Sequence, residues 1–356
     1  MALRLRPAGE ADREAWSRFL ASRPEGDLLQ SWAWGEAGAG EPDERWTRLL
    51  LEADDGRVRG LAQVLDRRTS FGRTILYVPH GPVWEREAPD AAELLGRLLH
   101  GLRRHARSRK GVVLKLDPRA SDDATVDAAI GRALRAAGLR RPRHDLQAPT
   151  TRVIELETDR DPVEGWAKDA RAELRRADRE GVTTRVLRSA DDASLDAFHA
   201  LLAETSDRQA FRARTRGFLG TLAVELSHDD DWFLALAEHE GRVLAGAVAP
   251  RTGDRAWYLY AASTRDPDLA RMRGPYAVMG ALTRAHRDAG TRSFDLWGVR
   301  ERDDPTVKLA WEGFSLFKRR FGGTPVRHPG TFDVVIDPFW DTIRDVRERM
   351  VDLRRR

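Results

Sequence analysis

The sequence contains no cysteine, and that absence removes a wide range of chemistry. A disulfide scaffold, a thiol nucleophile, an iron–sulfur cluster and a cysteine-based zinc site are excluded. No apolar run reaches the about 18 residues of a membrane-spanning helix. The opening Met1-Ala2-Leu3-Arg4-Leu5-Arg6 lacks the apolar stretch of a secretory signal, so the chain reads as cytoplasmic. G-x-x-x-x-G-K-[ST], G-x-G-x-x-G and G-x-S-x-G are all missing. The nine histidines show no H-x-x-x-H or H-E-x-x-H spacing, so no metal site is expected. Lysine is scarce too: there are five (110, 115, 168, 308 and 318), which leaves 56 arginines.

What is present describes an ordinary globular chain. With 356 residues, 41% hydrophobic and 33% charged, it is long enough for about two domains. The net charge of +4 tolerates an anionic partner, and arginine grips phosphate bidentately. A solvated mixed-charge surface explains the same composition.

An internal repeat gives the architecture. Asp55-Gly56-Arg57-Val58-Arg59-Gly60-Leu61-Ala62 matches Glu240-Gly241-Arg242-Val243-Leu244-Ala245-Gly246-Ala247. In each, an acid-Gly pair supplies the positive φ of a tight turn and opens an apolar strand. Aromatic, β-rich segments follow, Thr74–Val78 and Ala256–Tyr260. Amphipathic helices come next, carrying Leu94, Leu95, Leu98, Leu99 and Leu102 in one copy and Tyr276, Met279, Leu282 and His286 in the other. Val112–Asp117 and Ser293–Trp297 read as the closing buried strands. Both halves thus follow β-β-β-α-β, an α/β class with mixed sheets and a parallel crossover, related by internal duplication. A boundary is expected near Gln147–Thr151. The strand from Phe332 and the helix Pro338–Arg354 can return to the first sheet. That gives residues 1–150 plus 325–356 as a discontinuous first domain and 151–324 as the second.

Several clusters carry chemistry, each with a plain structural alternative. Phe317-Lys318-Arg319-Arg320-Phe321-Gly322-Gly323 frames cations with aromatics, which suits stacking and phosphate contact at an RNA end. It also fits a helix terminus with a glycine cap. Thr205–Arg214 reads as an arginine-rich loop after a helix, suited to phosphate or carboxylate. Asp117 ends a buried strand, where ligands of open α/β sheets gather, and a carboxylate there could take a proton from an attacking amine. It is equally an Asp-Pro turn. Trp34 and Trp297 fall near expected turns, as ligand contacts or as core.

In order along the chain these pieces resemble the FemABX family of aminoacyl-tRNA-dependent aminoacyltransferases. They are Gln30-Ser31-x-x-Trp34, Tyr77-Val78-Pro79-x-Gly81-Pro82-Val83, Lys115-Leu116-Asp117-Pro118, Arg175-Arg176-Ala177-x-x-x-Gly181-Val182, Arg208-x-x-Phe211, Ala245-Gly246-Ala247, Tyr258-Leu259-Tyr260, Asp295-Leu296-Trp297-Gly298-Val299 and Phe317-Lys318-x-x-Phe321-Gly322-Gly323. The resemblance implies two acetyltransferase-like (GNAT) domains and transfer of an amino acid from charged tRNA to an amine. The usual acceptor is the stem peptide of a peptidoglycan precursor, nucleotide-linked or lipid-linked; the lipid-linked form implies peripheral contact with a membrane. It further implies that Lys318 balances phosphate or oxyanion charge and that Phe317, Lys318, Arg319 and Arg320 meet the tRNA end. Arg208, Tyr260, Trp34 and Trp297 would bind the acceptor, and Asp117 is the candidate base. Aminoacyl-tRNA is then a co-substrate, and no cofactor is expected.

Two departures from the family pattern stand out. Gly38 occupies the position where relatives that bind the sugar nucleotide carry a lysine for its diphosphate, leaving Arg45 or Arg48 as substitutes. Alternatively the acceptor is a small amine in secondary metabolism, such as antibiotic biosynthesis. The stretch between Phe211 and Trp232 is too short for the long coiled-coil arm of some relatives, so a compact monomer is expected. Two competing readings remain. An acyl-CoA N-acetyltransferase needs [RQ]-x-x-G-x-[GA], whereas Arg271-Met272-Arg273-Gly274-Pro275-Tyr276 ends in Tyr and carries a donorless Pro. A non-catalytic RNA-binding protein would bind by charge without turnover.

Overall fold

The structure, a computed structural model, describes residues 3–120, 124–209, 214–299 and 312–354. It divides into two compact units, Met1–Gln147 with His328–Arg356, and Ala148–Arg327.

The first unit begins with β1 (Leu3–Pro7), α1 (Arg13–Ala21), α2 (Trp32–Ala39), β2 (Glu44–Ala53), β3 (Val58–Arg68), β4 (Thr74–Val78) and the short β5 (Val83–Trp84). α3 (Ala91–Ser108), β6 (Gly111–Leu116) and α4 (Ala124–Ala136) follow. The sheet runs β1-β2-β3-β4-β6, and the late strand Phe332–Val335 (β16) closes it antiparallel to β6. α11 (Pro338–Arg354) ends the described chain. Within this sheet, among the described residues, only β4 and β6 pair in parallel, because α3 provides their crossover.

Both faces of this sheet are covered, which is why Leu49-Leu50-Leu51 reads as an unbroken apolar run. Leu49 and Leu51 pack with Leu94, Leu98 and Leu102 of α3. Leu50 faces the other way, onto Trp16, Phe19 and Trp32 of α1 and α2.

The second unit contains β7 (Thr150–Glu155), α5 (Lys168–Arg179), β8 (Thr183–Leu187), α6 (Asp192–Gln209), α7 (Arg216–Ser227), β9 (Leu234–His239), β10 (Arg242–Val248) and β11 (Arg251–Thr252). β12 (Arg255–Trp257), β13 (Tyr260–Ser263), α8 (Pro267–Ala270), α9 (Gly274–Asp288), β14 (Ser293–Gly298), α10 (Glu312–Arg319) and β15 (Thr324–Arg327) complete it. Here the sheet is split in two, β13-β10-β9-β8 and β11-β12-β14-β7-β15. The break lies at Tyr258-Leu259, where one extended segment changes partner. The Tyr258 amide still donates to Asp295 O at 2.8 Å, but the Leu259 amide donates to Val248 O at 3.0 Å. β12 is thus parallel to β14, β13 is antiparallel to β10, and the sheet opens between them.

Setting aside the two-residue strands β5 and β11 and the one-turn α8, and counting β12 and β13 as halves of one strand, both units contain the order strand, two helices, three strands, helix, strand. The repeat therefore reaches further upstream than the turn-to-strand piece legible in the sequence. β1, α1 and α2 correspond to β8, α6 and α7.

Candidate functional site

In the second unit the residues of interest collect where the sheet opens. β14 loses register with β7 between Asp295 and Gly298. Trp297 adopts φ of 62°, a left-handed conformation that is strained for a bulky residue. Asp295 fixes this bulge: its Oδ1 accepts from the Trp297 amide at 2.7 Å and from the Thr151 hydroxyl. The bulge turns the Gly298 carbonyl toward Lys318, whose Nζ donates to it at 3.0 Å. Lys318 is 1% exposed, and its Nζ sits 4.0 Å from the centre of the Phe314 ring. Burial pulls its pKa down to about 7, and the Asp295 carboxylate opposes part of that shift. Gly298 O takes one of three N–H donors, and it is the one hydrogen-bond partner of Nζ among the described residues.

The basic cluster around Lys318 is the end of α10. Gly323 has φ of 76°, and a Cβ there would lie 2.5 Å from Val153 O, so no side chain fits. Phe317 packs edge-on to Tyr276 at 5.3 Å and to Phe321 at 4.7 Å, on the core of the unit. Arg320 donates to the Tyr276 hydroxyl at 2.7 Å and pairs with Asp169 at 3.2 Å. Arg319 is half-buried on the same turn. Lys318 is therefore the member buried at the opening, while Phe317 and Arg320 also hold α10 in place.

Tyr260 begins β13 opposite Val248, half-buried beside the break. The expectation of a loop over Thr205–Arg214 is corrected for its first part. α6 continues through Gln209, because Thr205 bonds back to Leu201 O at 3.0 Å and is buried in the helix. Arg208 is on this last turn; its side chain, like Phe211, lies outside the described residues.

In the first unit Asp117 follows β6 directly and is buried. Tyr77 donates its hydroxyl to Asp117 Oδ2 at 3.0 Å, and Gln147 donates to that hydroxyl at 3.1 Å. Burial lifts the Asp117 carboxyl to about 6, against the pull of His80 and the Tyr77 bond. Beside it lies a charged group that sequence reasoning missed. Asp27, fully buried, pairs with His80 Nδ1 at 2.9 Å and Arg119 Nη1 at 2.5 Å. Burial alone would raise the Asp27 carboxyl, but His80 and Arg119 hold it far below the usual range. His328 accepts from the Ala120 amide at 3.1 Å, and burial keeps its ring neutral well below its ordinary pKa. The signal for His80 was its place inside Pro79-His80-Gly81-Pro82, beyond the end of β4; the structure gives it φ of 46°. Asp27, Arg119 and His328 carried no such signal, since their meeting depends on the sheet.

Gln30 and Trp34 are both buried. Gln30 donates to Pro79 O at 2.6 Å and accepts from the Gln63 amide at 2.7 Å, tying the start of α2 to β3. Trp34 is buried on the first turn of α2, its amide capped by Ser31 Oγ at 3.1 Å. This corrects its placement at a turn. Gly38 is a packing glycine: a Cβ there would lie 2.2 Å from the Trp46 indole nitrogen. Arg48 does not stand in for the missing lysine. Its guanidinium stacks 3.8 Å from the Trp32 ring centre, donates to Trp32 O at 2.8 Å and pairs with Glu36 at 2.9 Å. Arg45 is exposed on β2. Among the described residues no group of three or more His, Asp or Glu side chains is arranged to hold a metal.

Known proteins share this fold. A family profile described as an acetyltransferase (GNAT) domain matches residues 167–304. A UDP-N-acetylmuramoylpentapeptide-lysine N(6)-alanyltransferase of Weissella viridescens is 23% identical over 338 residues, covering 91% of this chain and 94% of its own. A lipid II:glycine glycyltransferase of Staphylococcus aureus (strain bovine RF122 / ET3-1) is 24% identical over 409 residues, covering 93% and 94%. The crystal structure of FemX superposes with a TM-score of 0.79 at 20% identity, covering 96% of this chain and 99% of that one. Along nearly its whole length the chain is similar to FemABX-type transferases.

Its fold is the GNAT-like fold, with mixed sheets in both units. The alignment to the staphylococcal relative spans 409 positions against the 356 residues here, so that relative carries stretches this chain lacks. Between α6 and β9 stands the short helix α7, capped by Thr215. No described helix is long and apolar enough to cross a membrane.

Proposed function

We propose that the protein transfers an amino acid from aminoacyl-tRNA to an amine on the stem peptide of a peptidoglycan precursor. The observation that carries this reading is Lys318, buried where the second unit's sheet opens. The acceptor nitrogen attacks the ester carbonyl, and the carbonyl oxygen becomes an oxyanion. Lys318 in its charged form stabilises that oxyanion from inside a low-dielectric site. The C–O bond to the tRNA ribose then breaks, and the proton lost by the amine goes to that departing oxygen. A lysine with pKa about 7 can also carry this proton in transit. Asp117, ionised above about pH 6, is the candidate base of the first unit. Tyr260, Trp297 and the end of α6 bearing Arg208 line the acceptor side, and Phe317 with the half-buried Arg319 and Arg320 beside Lys318 meets the tRNA end. Trp34, being buried, acts through α2. The chain works as a monomer in the cytoplasm, with aminoacyl-tRNA as co-substrate and no bound cofactor.

The Trp46 indole fills the space beside Gly38. That favours a second reading, in which the acceptor is a small amine without a diphosphate. An acetyl-CoA donor is disfavoured at the start of α9. Pro275 has no amide, and the Tyr276 amide is taken by Arg273 O at 3.0 Å, which leaves few donors for a pyrophosphate.

The test is transfer of radiolabel from a pool of aminoacyl-tRNAs to nucleotide-linked precursor, lipid-linked precursor and a panel of small amines, with and without RNase. RNase-sensitive label on either precursor is expected. Label only on a small amine selects the second reading, and transfer from acetyl-CoA alone refutes both.

A further inference from the structure

One surface of the first unit serves none of this chemistry. On α11, Phe339, Ile343, Val346 and Met350 are 67%, 43%, 49% and 53% exposed. Their spacing of four, three and four places them on one helical stripe facing away from the protein. Phe71, at the tip of the β3–β4 hairpin and 83% exposed, extends the stripe through Trp340, with ring centres 5.5 Å apart. A lone exposed leucine needs no explanation, but five large apolar side chains in one continuous strip do.

The charges beside the stripe are sorted by sign. Among the described side chains the acids of α11 are held in ion pairs: Asp341 with Arg140 and Arg344, Asp345 with Arg143 and Arg349, and Glu348 with Arg344. Arg347 flanks the stripe and is exposed, with no ion pair among the described residues. The sequence continues into Arg354-Arg355-Arg356. Arg67 and Arg68 are exposed on the hairpin next to Phe71, and Arg73 stacks 5.0 Å from the Trp340 ring centre. A second copy of this chain would bring like charges face to face. An anionic surface complements them.

We propose that the α11 stripe and Phe71 form a docking surface for an anionic lipid bilayer, with α11 lying in the plane of the interface. Apolar side chains enter the acyl boundary, and the flanking arginines meet lipid phosphates. Phe71 and the first turn of α11 lie at the Thr74 and Gly111 end of β4 and β6, and the helix runs back from there past Asp333. The proposal does not depend on the transfer reaction, because binding is read without turnover.

The test is co-sedimentation of the intact protein with vesicles of phosphatidylcholine alone, and with about a third phosphatidylglycerol. Binding to the anionic vesicles is expected, weakening as salt is raised. The pair Phe71→Ser and Ile343→Asn should weaken it at least about tenfold, with thermal melting unchanged since both side chains are exposed. Sedimentation that ignores lipid charge, or that survives the double substitution, overturns the proposal. So does light scattering that shows a dimer which the double substitution converts to a monomer, since the stripe is then a contact between copies.

Discussion

Replacing Lys318 by methionine should abolish transfer and, at neutral pH, make the protein more stable. Lys318 is fully buried, and its pKa falls from the ordinary 10.5 to about 7. At ~1.36 kcal/mol per decade, keeping the proton in the folded state costs roughly 5 kcal/mol. Methionine removes that cost but leaves the Gly298 carbonyl without its donor, a loss of ~1–3 kcal/mol. The net gain is about 3 kcal/mol, or ~6–12 °C in Tm for a unit of this size. The sign with pH follows from proton counting. Between about pH 7 and 10.5 the unfolded chain holds a proton on this lysine that the folded chain has lost, so wild-type stability from this group rises with pH. The deficit is full below about pH 7 and fades as pH approaches 10.5. Thermal melts of wild type and Lys318→Met across that range are the assay. A methionine variant that melts lower at pH 7, or whose advantage stays constant with pH, refutes the buried-charge account.

Two further outcomes follow from the first unit. If Asp117 accepts the proton, activity rises through about pH 6, and Asp117→Asn removes that limb of the pH–rate profile. Its carboxyl is raised from 3.8 to about 6 in the folded state, so its contribution to stability is lost as pH rises between those values, and the Asn variant's advantage in melting should grow over that range and level off above about 6. Gly38→Lys should destabilise by ~1–3 kcal/mol, because its Cβ meets the Trp46 indole at 2.2 Å. Thermal melting checks the cost, and equal stability would show that Trp46 yields.

The repeat was legible because tight turns and buried strands leave local marks. Asp55-Gly56 and Glu240-Gly241 are turn signals whatever surrounds them, and Leu94 to Leu102 states a helix face by spacing alone. The polar run Thr205–Arg214 misled, since polar composition suggests a loop while Thr205 is buried on α6. Trp34, expected near a turn, is instead buried on the first turn of α2.

The sequence by itself determined the duplicated α/β order, the absence of thiol chemistry and the family resemblance. All of these rest on residue identity and spacing within one segment. Only the tertiary structure decided what the charged residues do. Lys318 becomes a group titrating near 7 because α10, β14 and Phe314 exclude water from it. Asp27, His80 and Arg119 become one buried cluster because strand ends and a loop far apart in the chain converge there. The space beside Gly38 is filled because β2 brings Trp46 across it. Burial and long-range pairing are properties of the packed sheet, and no short stretch of sequence carries them.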